Sequence, residues 1–222
     1  MKQITFVSSI LILILACCQG QQKIKSSEAV INNLSIDTGT FKTDSNMFYF
    51  PLESLKDTSI YIGHDTFTDT WYSHHLYAMR EPVIFTDKSQ NEIYRFTWLR
   101  TFHNPIAIRI EKHNDSYTLY WKLCNGAGGY QPGRLTVSKQ LTIDKSTWSE
   151  FIKLLNQIDF WNLKTNEKIF GCDGSQWILE GKLLEQYHVV DRWTPDENSK
   201  FYHCCDFLIK LTDLKIKNDD KY

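Results

Sequence analysis

Between residues 106 and 143 the chain alternates apolar and polar side chains with a period of two. Ile106, Ile108 and Ile110 alternate with Ala107, Arg109 and Glu111, and Tyr117, Leu119, Trp121 and Leu123 alternate with Thr118, Tyr120, Lys122 and Cys124. That period belongs to strands buried on one face. Asn114-Asp115 between them suits a two-residue hairpin turn. Such a turn pairs Ile110 with Leu119, Ile108 with Trp121 and Ile106 with Leu123, and it gathers both apolar sets on one face. Leu135, Val137, Leu141 and Ile143 continue the pattern in a third strand. Upstream, Val83-Ile84-Phe85 and Ile93 to Arg100 are rich in strand-favouring residues, with turn chemistry from Asp87 to Asn91.

Elsewhere the period lengthens. Asp69 to Met79 predicts a short helix capped by Asp69 and stopped before Pro82. Trp148, Phe151, Leu155 and Ile158 form one helical stripe, which Thr147 and Glu150 begin as a capping box. A second hairpin follows, Ser175 to Leu183 and Tyr187 to Trp193, and Pro195 ends it. A last helix runs from Ser199 to Leu211 with Phe201, Cys204, Cys205, Leu208 and Leu211 facing inward. Short antiparallel connections with interspersed helices predict an α+β fold, an antiparallel sheet with helices packed on one face as a two-layer sandwich.

The parity of the second hairpin decides which of its polar residues meet. An odd loop, Leu183-Leu184-Glu185, sets Trp177, Leu179, Tyr187, Val189 and Trp193 on one face. It sets Glu180, His188 and Arg192 on the other, with Glu180 opposite His188. An even loop mixes apolar and charged residues on both faces, so the odd loop is preferred. Its cost is Asp191, which then falls on the apolar face.

In a continuous sheet the open face would gather Arg109, Tyr120, Lys122, Arg134, Glu180, His188 and Arg192. A cationic, aromatic-lined face suits an anionic ligand or a glycan, and a Glu-His pair can do acid–base work near neutral pH. A half-buried sheet has a polar outer face whether or not anything binds there. Two glycine segments flank it, Asn125 to Gly133 and Gly171-Cys172-Asp173-Gly174. Glycine clusters can bring backbone N–H groups to an anion, but tight turns are their commoner use. Neither segment matches a phosphate loop or a calcium loop, so no cofactor and no metal is expected.

The N-terminus carries a separate signal. Lys2 precedes an apolar run from Ile4 to Leu15, followed by Ala16-Cys17. A spanning helix needs about 20 apolar residues, and this run is shorter. Charged start, short apolar core and small residue fit an export signal. Ile14-Leu15-Ala16-Cys17 resembles the lipobox of bacterial lipoproteins. The resemblance implies that residues 1–16 are removed and that Cys17 carries acyl chains, anchoring the protein to a membrane of the cell envelope with its domain in the periplasm. Residues 17–46 are polar and read as a tether, and 47–222 as one domain. The formal net charge is −1, and loss of Lys2 makes it one unit more negative. That argues against nucleic acid as a partner. Four cysteines remain in the domain, Cys124, Cys172, Cys204 and Cys205. In an oxidising compartment a bridge from Cys172 to Cys204 or Cys205 is the preferred pairing.

Asp173 to Glu180, followed by Tyr187 to Pro195, reads DGSQWILE and YHVVDRWTP. This pair resembles a motif of uncharacterised bacterial proteins, as do Phe96 to Arg100, Phe102-His103 and Phe160-Trp161. The resemblance brings no activity, but it draws attention to Asp173, Glu180, His188, Asp191 and Arg192. The expected function is that of a lipid-anchored envelope protein whose domain binds a ligand or an envelope protein through Arg109, Lys122, Asp173, Glu180, His188 and Arg192. One alternative is an envelope hydrolase with Glu180 and His188 as acid and base. Another is a protein-interaction domain that uses exposed aromatics.

Overall fold

The first hairpin forms in the expected register. Ile110 faces Leu119, Ile108 faces Trp121 and Ile106 faces Leu123, around a turn in which Asn114 takes a left-handed φ of 52°. Asparagine tolerates that conformation better than most residues. The structure is a computed structural model that describes residues 47–55, 67–167 and 171–222. The leader, its Cys17 and the tether lie outside the described residues.

The main elements in chain order are α1 (Phe67–Ala78), β1 (Glu92–Arg100), β2 (Ile106–His113), β3 (Ser116–Cys124), β4 (Leu135–Ile143), α2 (Lys145–Gln157), β5 (Ser175–Leu183), β6 (Gln186–Trp193) and α3 (Lys200–Lys210). The six strands form one antiparallel sheet in the order β4-β3-β2-β1-β5-β6. The expected α+β class is therefore present. Strand β1 is central. It pairs with β2 on one side and with β5, which lies far along the chain, on the other.

Helices α2 and α3 cover one face. Phe151, Leu155, Cys204 and Leu208 pack there against Phe96, Trp98, Ile108 and Trp177 of the sheet. Ser199 caps α3 by accepting from the Tyr202 N–H at 3.1 Å. Helix α2 starts earlier than a Thr147 cap would place it. Its N-cap is Asp144, which accepts from the Thr147 N–H at 2.7 Å. An aspartate at this position satisfies an orphan amide and complements the helix dipole, so it wins over the downstream capping box.

The opposite face is not open. Tyr49, Phe50, Tyr72, Leu76 and Met79, from residues 47–55 and from α1 and its end, are buried against Leu99, Ala107, Ile178 and Val189. Asp69 is not the cap of α1 but lies inside its first turn, where Oδ2 accepts from the Glu53 N–H at 3.1 Å. Val83 to Phe85 form no strand and belong to the connection from α1 to β1.

This double cover explains a second correction. The β5–β6 hairpin turns through two residues, Leu184-Glu185, with Leu183 facing Gln186. Glu180 therefore faces Val189, and His188 faces Gly181. The odd register rests on separating apolar from charged residues, which matters only when one face meets water. Here both faces are covered, so both carry apolar residues and both bury charges.

Gly181 shows how closely the first cover sits. A Cβ there would lie 2.6 Å from Phe160 Cε1 and 2.9 Å from the Tyr94 ring. Gly181→Ala should lower unfolding stability by about 1–3 kcal/mol, the usual cost of overpacking. Urea denaturation would read this as a lower midpoint with an unchanged slope.

Candidate functional site

The polar residues of the second face are tied together by a carboxylate that descends from α1. The helix ends in a Schellman turn. Arg80 takes a left-handed φ of 53°, its N–H donates to Tyr77 O at 2.9 Å, and the Glu81 N–H donates to Leu76 O at 3.0 Å. That turn aims Glu81 at the sheet. Its Oε2 lies 2.9 Å from Arg109 Nε and 3.6 Å from Arg95 Nη1, and its Oε1 lies 3.0 Å from Lys122 Nζ. Glu81 is 2% exposed. Burial alone would raise its carboxyl, but Arg109, Lys122 and Arg95 together bring it down to about 2.

Register places the cations side by side. Glu180, Arg95, Arg109 and Tyr120 occupy one transverse row across β5, β1, β2 and β3. Arg95 is 0% exposed and grips Glu180 Oε2 through Nε at 2.7 Å and Nη2 at 2.6 Å. Its Nη1 donates to Pro82 O at 2.7 Å. Tyr187 donates to Glu180 Oε1 at 2.9 Å. Arg109 also pairs with Glu111, and its guanidinium stacks 4.2 Å from the Tyr120 ring centroid. Three cations (Arg95, Arg109, Lys122) thus meet three carboxylates (Glu81, Glu111, Glu180). Such a charge-balanced cluster, covered by the segment after α1, is an internal clamp rather than an open anion site. Neither Arg95 nor Glu81 stands out in the sequence. The legible signals are the position of Arg95, out of phase with the Tyr94-Phe96-Trp98 stripe, and that of Glu81 just before Pro82.

The remaining residues of the expected site lie elsewhere. His188 and Arg192 are on the α2/α3 face, opposite Glu180. The His188 ring sits 5.2 Å from Phe160, and its Nε2 donates to Leu163 O at 2.9 Å. Burial lowers its pKa and favours neutral imidazole. Arg192 donates to Thr165 O and Lys164 O at 2.8 and 2.9 Å and pairs with Glu167 at 2.9 Å, so it fastens the segment before β5. Asp173 is exposed with a left-handed φ of 61°, and Arg134 is exposed beside Asn125. The expected site is therefore divided. Arg109, Lys122 and Glu180 share the clamp, whereas Asp173, His188 and Arg192 do not join it.

Both glycine segments serve close packing. Gly128 donates to His103 O at 2.9 Å, and Gly174 O accepts from the Thr101 N–H at 3.0 Å and hydroxyl at 2.7 Å. Together they clasp the loop between β1 and β2. Phe102 on that loop and Tyr130 remain exposed, with ring centroids 6.3 Å apart. The cysteine bridge does not form. Cys172 is exposed, whereas Cys204 and Cys205 are buried on the inner side of α3, and all are free thiols with Cys124. Burial pushes the Cys204 thiol up to about 12 and that of Cys124 up to about 11.

Two further features stand out on geometry. Asp191 lies on the face covered by α1, where the Tyr72 hydroxyl donates to its Oδ2 at 2.8 Å and its buried Oδ1 has no hydrogen-bond partner among the described residues. Burial lifts its carboxyl to about 7, with Tyr72 and Arg192 offsetting part of that rise. On the other side of the sheet a groove of about 560 Å³ lies between the β2–β3 hairpin end and α2. Lys112, Lys145 and Lys153 rim it, over a floor that includes Tyr117, Trp148 and Ile152.

No protein-family model matches this chain, and no curated protein matches it.

Two stability predictions follow from the covered face. Glu180→Ala strands a fully buried Arg95 and should destabilise the fold by about 3–5 kcal/mol, measured by denaturant unfolding. Asp191 is more protonated in the folded than in the unfolded chain, so its contribution is full at acid pH and is lost as pH rises through about 7. Asp191→Asn should keep the Tyr72 hydrogen bond, add up to about 4 kcal/mol above pH 7 and little below pH 4. Melting curves from pH 4 to 8 would converge for the two proteins at the acid end.

Proposed function

We propose that this protein is a lipid-anchored protein of the bacterial cell envelope, held by acyl chains on Cys17, whose domain binds an acidic partner. The observation that carries the binding site is the groove beside α2. Its lining includes three lysines and no carboxylate, over Trp148, Tyr117 and Ile152. Such a surface complements an anionic group attached to an apolar or ring-shaped body. Glu92 stands nearby, facing Lys112 across β1 and β2, but its carboxylate already accepts from the Tyr94 hydroxyl at 2.8 Å.

The lipid anchor rests on the charged start, the apolar run and Ala16-Cys17. More than one acyl chain is needed for firm anchoring. The hydrolase alternative loses its acid–base pair, because the sheet separates Glu180, held by Arg95 and Tyr187, from His188, whose Nε2 donates to Leu163 O on the other side. The exposed Phe102–Tyr130 pair favours a second reading, in which a protein partner docks at the opposite end of the sheet.

One experiment in cells addresses both the anchor and the groove. A photo-crosslinking residue is placed at Ser149 on the groove or at Ser138 on β4. Only the Ser149 probe should yield an adduct, and Lys145→Glu/Lys153→Glu should abolish it. Equal adducts from both positions would remove the groove reading. In the same cells Cys17→Ser should move the protein from the membrane to the soluble fraction, and continued membrane retention would rule out lipid at Cys17.

A further inference from the structure

At the end of the sheet away from the groove, one main-chain oxygen is held by buried donors. Tyr222 O accepts from Trp98 Nε1 at 3.4 Å, from Trp177 Nε1 at 3.2 Å and from the Ser175 hydroxyl. Ser175, Trp98 and Trp177 are each 0% exposed. Ser175 Oγ also accepts both indole N–H groups, at 3.2 and 2.9 Å. Its own proton is therefore left to donate, and Tyr222 O is the acceptor that takes it.

Arg100 and His103 complete the cradle. The Arg100 guanidinium lies 4.3 Å from the Trp98 ring centroid and donates through Nη1 to Asp220 O at 3.1 Å and through Nη2 to Asn104 O at 3.3 Å. Its Nε is buried and has no partner among the described residues, so one guanidinium N–H stays available to a further acceptor. His103 contacts the Tyr222 hydroxyl through Nδ1 at 2.7 Å and the Asp220 carboxylate through Nε2 at 3.5 Å. Lys221 reaches Asp206 at 2.7 Å.

The two sides of this contact are unequal. Ser175, Trp98, Trp177 and Arg100 are buried, and the Ser175 hydroxyl loses its acceptor when the cradle is left empty, whereas residues 220–222 are only partly buried and are held mostly by polar contacts. An incoming chain that offers the same acceptors replaces every bond at little net cost, because the net worth of each is about 1 kcal/mol. We infer that this end of the sheet is a peptide-binding site in which residues 220–222 sit as a tethered occupant. It selects a main-chain oxygen on a tyrosine, with a carboxylate two residues before it.

The test uses a fluorescent peptide with the sequence of residues 218–222. A variant lacking residues 220–222 should bind it at least about tenfold more tightly than the full chain, whose site is occupied. Adding Ser175→Ala to that variant should remove most of the gain. Should the shortened chain not fold, full-length Asp220→Ala/Tyr222→Ala decides. It removes both tail contacts to His103, leaves the cradle intact and should bind the peptide at least about fivefold more tightly than wild type. No gain in a folded variant, or equal binding by the unmodified chain, overturns the inference.

Discussion

The buried carboxylate of Glu81 is the contact on which the second half of the structure depends. Antiparallel register sets Arg95 beside Arg109 in neighbouring central strands, with Lys122 one strand further out. Like charges at such positions repel, and they are buried here away from water. Glu81 removes that penalty by touching all three. Glu180 completes the neutralisation from the other side. Removing one partner would leave the others as uncompensated buried charge, which is why such clusters are costly to break even where their net worth is small.

Glu81 reaches this position only because α1 ends where it does. The left-handed turn at Arg80 reverses the chain, and Pro82 disfavours helical backbone at Glu81, the residue before it. Helix termination, the covering of the second sheet face and neutralisation of the arginines are thus one event. The Tyr72–Asp191 bond fastens the same helix to β6, so α1 is held at its turn and along its length. The two contacts respond oppositely to pH. Acid weakens the Glu81 cluster as that carboxylate takes a proton, and it favours the protonated Asp191.

With this face occupied, chemistry moves to the sheet's margins. The lysine-rimmed groove beside α2, the exposed Phe102–Tyr130 pair and the cradle around Tyr222 all lie at strand ends or helix edges. Ligand sites built at such positions can change without disturbing the buried pairing of the central strands. The glycine segments support this arrangement by close approach. Gly128 packs onto the backbone of Leu99 and Arg100, and Gly174 onto Trp193 and Thr194, so the loops that carry the margins are tightly seated.

Local pattern was enough for most elements. The alternation from Ile106 to Leu123 and the Asn114-Asp115 turn determine the first hairpin and its exact pairing, because one-residue slippage would exchange every side chain between faces. The stripe Trp148-Phe151-Leu155-Ile158 and the Ser199 start determine α2 and α3 in the same way. The strands of the second hairpin were legible but its register was not, since mixed apolar and charged residues on β5 and β6 are compatible with either parity until it is known that both faces are covered. The candidate site was legible only as a set of residue types. Arg109, Lys122 and Glu180 do meet, but their purpose changed once Arg95 and Glu81 joined them. The sequence by itself determined strands, helices and an α+β class, because these follow from periodicity within a dozen residues. Only the tertiary structure decided that β1 lies between β2 and β5 and that α1 closes the polar face. Those outcomes depend on charge neutralisation and burial between segments 85 to 119 residues apart.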